Sequence, residues 1–340
     1  MTMSHPTRVT RLGAGAALAA LVLVSAGCGG GGSAQEMSKE DCAKYPEKDV
    51  TMIIGRSPGG GHDEYGRFLV PLLKKELGGN VIVKNVDGAG GRVAASQVYE
   101  GEPDGYTIHL VEPNGLAALQ AVEDVEYDLA KFTQLGVVND RPSTFAVPAG
   151  SKYKTFDDLV EASKKKPLKF ATSGLTSPNF VNGVIAAKEA GLKFTPVPHE
   201  GSAEAITSMV RGDTDFTVFS GDSIAEAVDA GDAKALVQFG EEPLDLLGDT
   251  PMAEDVGLGD LAGVLTTNLM LVAPPALPSC LKKTLTDAVQ TTLNGDEFKA
   301  FGEKGRIVSP GTPEDAQQLI KESVATYEKY ADVYRKYLTS

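Results

Sequence analysis

From Tyr45 onward the chain alternates short apolar runs with helix-length amphipathic runs. That alternation points to an α/β architecture. Residues 50–55, 80–86 and 106–111 read as strands, the third entered through the turn Pro103-Asp104-Gly105. Residues 63–77 read as a helix, because Phe68, Leu69, Leu72, Leu73 and Leu77 share one face and Gly78 ends the run. Thr155, with Asp158 three residues on, forms a capping-box pattern for another helix. Strands are expected at 169–172 and 216–219. A long C-terminal helix opens at Thr312-Pro313-Glu314-Asp315, with Leu319, Ile320, Val324, Tyr327, Tyr330 and Tyr334 at helical spacing as its core stripe. The chain has 340 residues, more than twice the ~150 typical of a domain, so two domains are expected.

The first residues read as an address. Arg8 and Arg11 precede an apolar run over 12–26 and then Gly27-Cys28, the layout of a secretory signal peptide over 1–27. The run is too short to cross ~30 Å of hydrocarbon comfortably as a helix. Ser25-Ala26-Gly27-Cys28 resembles the lipobox of bacterial lipoproteins, which makes Cys28 the expected lipid-bearing mature N-terminus. A plain signal peptide with a chance cysteine is the alternative. Residues 29–33 are all Gly and Ser, and 28–44 is expected to act as a flexible tether. With 46 acids against 32 bases and scattered lysines, nucleic acid is not an expected partner. In an oxidising compartment Cys42 and Cys280 are expected to pair, two free buried thiols being the alternative.

Most catalytic motifs fail on inspection. Gly55-Arg56-Ser57-Pro58-Gly59 matches a nucleophile elbow, but Pro58 has no N–H to donate to an oxyanion, and no histidine follows His199. Gly88-Ala89-Gly90-Gly91-Arg92-Val93 falls one glycine short of a dinucleotide fingerprint. His5, His62, His109 and His199 lack metal-ligand spacing, so neither metal nor cofactor is expected. What remains is a set of polar, glycine-rich loops that lead into helices. Ser57 to His62 leads into a helix rich in early acids. Thr172-Ser173-Gly174-Leu175-Thr176-Ser177 leads into Pro178, and His199-Glu200-Gly201-Ser202 leads into 203–210. Each would offer backbone N–H groups and a positive helix end to an anion; the alternative is ordinary turns with capping.

Taken together, these residues resemble the tripartite tricarboxylate transporter substrate-binding receptors, also called Bug proteins. The resemblance rests on Gly59-Gly60-Gly61-His62-Asp63 with Arg67, then Asn85 followed by Gly88-Ala89-Gly90-Gly91. It continues through Pro103-Asp104-Gly105-Tyr106-Thr107, Tyr127-Asp128, Ser173-Gly174 with Ser177, Gly201, Gly212 and Ala273-Pro274. It implies a non-enzymatic, two-lobed α/β fold of the periplasmic-binding-protein type (type II-like), with a ligand cleft between the lobes. Crossings near 145–147 and 271–273 would assign 45–146 plus 272–340 to one lobe and 147–271 to the other.

The resemblance further implies a small organic anion, a mono- or dicarboxylate, as ligand, and the membrane subunits of a transporter as partner. Docking on a signalling partner is the alternative role, and a secreted hydrolase a remoter one. The implied contacts are Arg56, Ser57, Gly60, Gly61, His62 and Asp63 in the first lobe, with Pro113, Asn114 and Gly115 after the third strand. Thr172, Ser173, Thr176, Ser177, His199, Gly201, Ser202 and Asp222 complete the set. Several positions depart from the family pattern. Arg56 stands where an aromatic residue is usual and His62 where threonine is. Glu200 stands where a base is frequent and Phe180 where histidine is. Leu265-Thr266-Thr267-Asn268 replaces a stretch that usually carries tryptophan.

Overall fold

The structure is a computed structural model that describes residues 37–338. The expected signal peptide, Cys28 and the Gly/Ser run at 29–33 lie outside the described residues. The tether expected to reach residue 44 instead gives way to a helix, α1 (Lys39–Lys44), because Ser38 caps it by accepting from the Asp41 amide. Cys42 on α1 is disulfide-bonded to Cys280, with the two Cα atoms 6.2 Å apart.

Two sheets are built around one shared strand. The chain runs β1 (Val50–Ile54), α2 (Gly61–Leu77), β2 (Val81–Asn85), α3 (Arg92–Tyr99), β3 (Thr107–Val111) and α4 (Pro113–Gln120). The shared strand β4 (Thr133–Pro148) follows, then α5 (Phe156–Lys165), β5 (Leu168–Thr172), α6 (Pro178–Ala190) and β6 (Phe194–Pro198). Next come α7 (Ser202–Val210), β7 (Phe216–Ser220), α8 (Gly221–Asp229), β8 (Ala233–Gln238) and β9 (Thr266–Ala273). Helices α9 (Ser279–Asn294), α10 (Asp296–Gly302), α11 (Pro313–Lys329) and α12 (Ala331–Leu338) close the chain. The first sheet has the order β2-β1-β3-β9-β4, with β1 parallel to β2 and β3, and β9 antiparallel to β3 and β4. In the second, β6-β5-β7-β4, β5 is parallel to β6 and β7, while β4 is antiparallel to β7 and to β8.

Strand β4 changes partners partway along its length. Thr133 through Pro142 pair with β9, and Ser143 through Ala146 pair with β7. Pro142 sits at the changeover, where its missing N–H interrupts neither ladder. The return crossing lies between Leu265, whose carbonyl accepts from the Ser143 amide at 2.9 Å, and Thr266, which begins β9. The changeovers therefore fall earlier than the expected 145–147 and 271–273, because β9 pairs inside the first sheet from its first residue.

Local sequence rules explain the flanking helices. Tyr65, Leu69, Leu73 and Leu77, spaced by four, are the buried face of α2, and Gly78 ends it in the left-handed conformation at φ 66°. Thr155 and Asp158 form the reciprocal capping box of α5, as do Thr312 and Asp315 at α11. The helix expected to run unbroken from 313 is interrupted at Tyr330, and α12 turns to pack on α6 of the second sheet. Tyr337 stacks on Phe194 and meets Phe180 edge-on, so the C-terminus straps both halves together rather than belonging to the first. Tyr327 and Tyr334 are fully buried within that strap; the Tyr327 hydroxyl donates to Asn182 Oδ1 at 2.6 Å and that of Tyr334 to the Tyr327 carbonyl. Among the described residues no helix is long and apolar enough to cross a membrane.

The disulfide closes a loop of 238 residues, so its chief effect is to restrict the unfolded chain. Replacing Cys42 and Cys280 together by alanine is expected to lower stability by ~2–5 kcal/mol. Thermal melts with and without reductant check this: the wild type should shift down on reduction and the double variant should not respond.

Candidate functional site

The loops at the C-terminal ends of β1, β3, β5, β6 and β7 open onto one cleft between the two sheets, the usual place for ligands in open α/β folds. Its volume is about 410 Å³. Arg56, Ser57, Gly60, Gly61, His62, Asp87, Gly90 and Glu112 line it from the first sheet. Ser173, Thr176, Ser177, Asn179, Glu200, Gly201, Ser202, Phe219, Ser220 and Ser223 line it from the second, and Arg141 rises from β4. A wider hollow of about 740 Å³ lies at the other end of β5, among exposed Lys165, Lys166 and Lys169. The helix start beside that hollow, α5, is already closed by its own capping box.

Four helices begin at the cleft. Helices α2, α7 and α8 start at Gly60, Gly201 and Ser220 with no side-chain cap, and α6 starts at Ser177, whose hydroxyl accepts from the Phe180 amide at 3.2 Å. Their positive ends converge on the same space, which favours an anion.

The glycine loop before α2 is held by Asp63. Its carboxylate accepts from the Gly59 amide at 2.8 Å, Arg67 Nε at 2.7 Å and Asn85 Nδ2 at 3.0 Å. The Arg67 bond foremost, with those amides, holds the Asp63 carboxyl down at about 2. Ser57 donates to Asp87 in an exposed bond across the first sheet's loops.

The cleft floor is a chain of charges. Glu112, 7% exposed, stands just before α4. Its Oε2 lies 3.0 Å from Arg56 Nη2 and 3.3 Å from His62 Nε2, and its Oε1 lies 3.5 Å from Arg141 Nη2. Arg141 Nη1 in turn lies 3.9 Å from Asp222 Oδ2. Burial pushes the Glu112 carboxyl up, and the pull of His62, Arg56 and Arg141 outweighs it, so the group is held below the usual carboxylate range. Burial lowers the His62 imidazole against the attraction of Glu112, and both arginines lower it further. Gly91, at φ 96°, lets Arg56 fold back: a Cβ there would lie 2.7 Å from Arg56 Nη1.

Ten of the residues singled out from sequence come together in this wall, and seven stand behind it. Asp63 braces the glycine loop. Pro113, Asn114 and Gly115 are the buried first turn of α4 rather than a loop facing the ligand space. Asn114 Oδ1 accepts from the Asn268 amide at 3.1 Å and its Nδ2 donates to Ser323, while Gly115 is where α4 meets Pro178 of α6. Thr172 Oγ1 bonds the Gly174 carbonyl, and the His199 amide bonds the Thr172 carbonyl at 2.8 Å, so both fasten loops from behind. Asp222 backs Arg141. His109 is a core residue, its Nδ1 2.9 Å from the Ile53 carbonyl. Sequence reasoning missed Asp87, Glu112, Arg141, Asn179, Phe219, Ser220 and Ser223.

Fold and cleft together define a two-lobed solute-binding protein. The model of the tripartite tricarboxylate transporter family receptor matches residues 67–333, and the chain belongs to that family. It is 28% identical over 293 residues to an Agrobacterium vitis protein encoded in the TAR-I ttuE-ttuC' intergenic region, covering 84% of each chain. It is 23% identical to Protein BugT of Bordetella pertussis, covering 86% of this chain and 90% of that one. A solved periplasmic transporter superposes with a TM-score of 0.75 at 27% identity, covering 85% of this chain and 97% of that one. MatC of Rhodopseudomonas palustris, solved with bound malate, shares the fold at a TM-score of 0.74 and 23% identity, covering 85% and 100%. An R. palustris protein solved with adipate does so at 0.75 and 23%, covering 85% and 98%. The family and these neighbours are solute-binding proteins rather than enzymes.

The depressed Asp63 carboxyl stabilises the fold above pH ~4, and that contribution drains away as pH falls from about 4 to about 2. Asp63→Asn is expected to cost roughly 1–2 kcal/mol at pH 7, discounted because Arg67 is half exposed. Melting curves of both proteins between pH 6 and 2.5 check it: the gap between them should close toward the acid end.

Proposed function

We propose that this protein is an extracytoplasmic, lipid-anchored receptor that captures a small carboxylate in the cleft between its two sheets. It delivers that ligand to the membrane subunits of a tripartite tricarboxylate-type transporter. The observation that carries the reading is the convergence of four helix N-termini, those of α2, α6, α7 and α8, on one cleft. Backbone amides there grip a carboxylate with dipoles that need no reorganisation, and serine and threonine hydroxyls trim the fit. The malate- and adipate-bound structures of similar proteins support the ligand class. The lobes, divided at Pro142 and Leu265 where the strands change sheets, close on the ligand as a hinge. The glycine loop and the Ser173–Ser177 loop form the two jaws, and the basic, apolar and small-residue stretches before Cys28 supply export and the anchor.

A thermal-shift screen of the purified protein against small carboxylates, with neutral solutes of matched size, tests the reading. A carboxylate at 100 times its dissociation constant is expected to add ~2.7 kcal/mol of stability. Stabilisation by neutral solutes alone would overturn it.

A further inference from the structure

The floor of the cleft is balanced in charge before any ligand arrives. Arg56 and Arg141 are the arginines among the lining residues, and no lysine joins them. Both are engaged by the buried carboxylate of Glu112, at 3.0 and 3.5 Å, and Arg141 also faces Asp222 at 3.9 Å. Two guanidinium groups thus meet two carboxylates. Burial foremost, with both arginines, disfavours the protonated form of His62, and Glu112 at 3.3 Å favours it. The remaining ionisable residues of the wall, Asp87 and Glu200, are both acidic. The positive potential left for a ligand is that of the helix ends, partial charges of about half a unit each held close to the backbone. A second carboxylate on the same molecule would meet Glu112, Asp87 or Glu200 without a free cation to offset it.

We infer that Glu112 makes the cleft select acids with a single carboxylate whose far end is uncharged or cationic. This rests on the carboxylate-receptor reading above and narrows it, away from the dicarboxylates held by the malate- and adipate-bound relatives.

The test is calorimetric titration of the purified full chain at pH 7 with matched pairs. Succinate is set against its half-amide and 4-hydroxybutyrate, and adipate against its half-amide and 6-hydroxyhexanoate. Within the set that fits, the monocarboxylates are expected to bind at least ten-fold tighter than the diacid. Glu112→Gln removes one negative charge and leaves Arg56 without its counter-ion, so the preference should shrink at least ten-fold or invert. Asp222→Asn provides the same readout if Glu112→Gln fails to fold. A diacid that binds the wild type as tightly as its monocarboxylate partners overturns the inference while leaving the carboxylate receptor intact. An unchanged preference in the folded variants overturns the role of Glu112. Failure of every acid, with binding of neutral solutes, removes both readings.

Discussion

Every element that shapes the cleft hangs from strand β4. Its first ten residues are built into one sheet and its last six into the other, so the two halves cannot be positioned independently. The strand is buried over almost its whole length, yet its middle is polar: Asn139, Asp140, Arg141, Pro142, Ser143 and Thr144. Buried polar groups need partners, and here the partners tie the halves together. Asn139 accepts from the Leu269 amide, Asp140 from Asn268, and Ser143 from Asn182, which also reaches the Thr266 carbonyl and the Tyr327 hydroxyl. The same stretch that lets the strand change sheets thereby carries Arg141 into the cleft.

The cleft combines two electrostatic devices that act at different ranges. Helix ends supply diffuse positive potential close to the backbone, and the Arg56–Glu112–Arg141–Asp222 chain cancels most of the full charges beneath it. A buried ion chain of this kind adds little net stability, because desolvation offsets the Coulomb attraction. Its value is geometric: it fixes two long arginine side chains against the wall. The overall acidity of the chain, 46 acids against 32 bases, therefore says little about the ligand, since the site is governed by groups within a few ångströms.

Much of the fold was legible from local rules. Strands β1, β2, β3, β5 and β7 fall within one or two residues of their apolar runs, and the caps at Thr155, Ser177 and Thr312 start their helices where side-chain chemistry requires. The strand that matters most was not legible. β4 contains Asn-Asp-Arg-Pro, which reads locally as a turn, and only the sheet on either side makes it one extended strand. The break at Tyr330 was hidden because the tyrosine stripe keeps helical spacing on both sides of it.

The α/β class, the glycine-rich helix starts and the family follow from residues close together in the chain. Tertiary structure alone decided which side chains face the ligand space. Pro113 to Gly115 went into the core, and Thr172 and His199 went behind the wall. Glu112, Arg141 and Asp222, far apart in sequence, became one charge chain. The physical reason is that helix capping and strand alternation act over three or four residues. Burying a carboxylate instead requires counter-charges, and only folding could bring Arg56, His62 and Arg141 to Glu112.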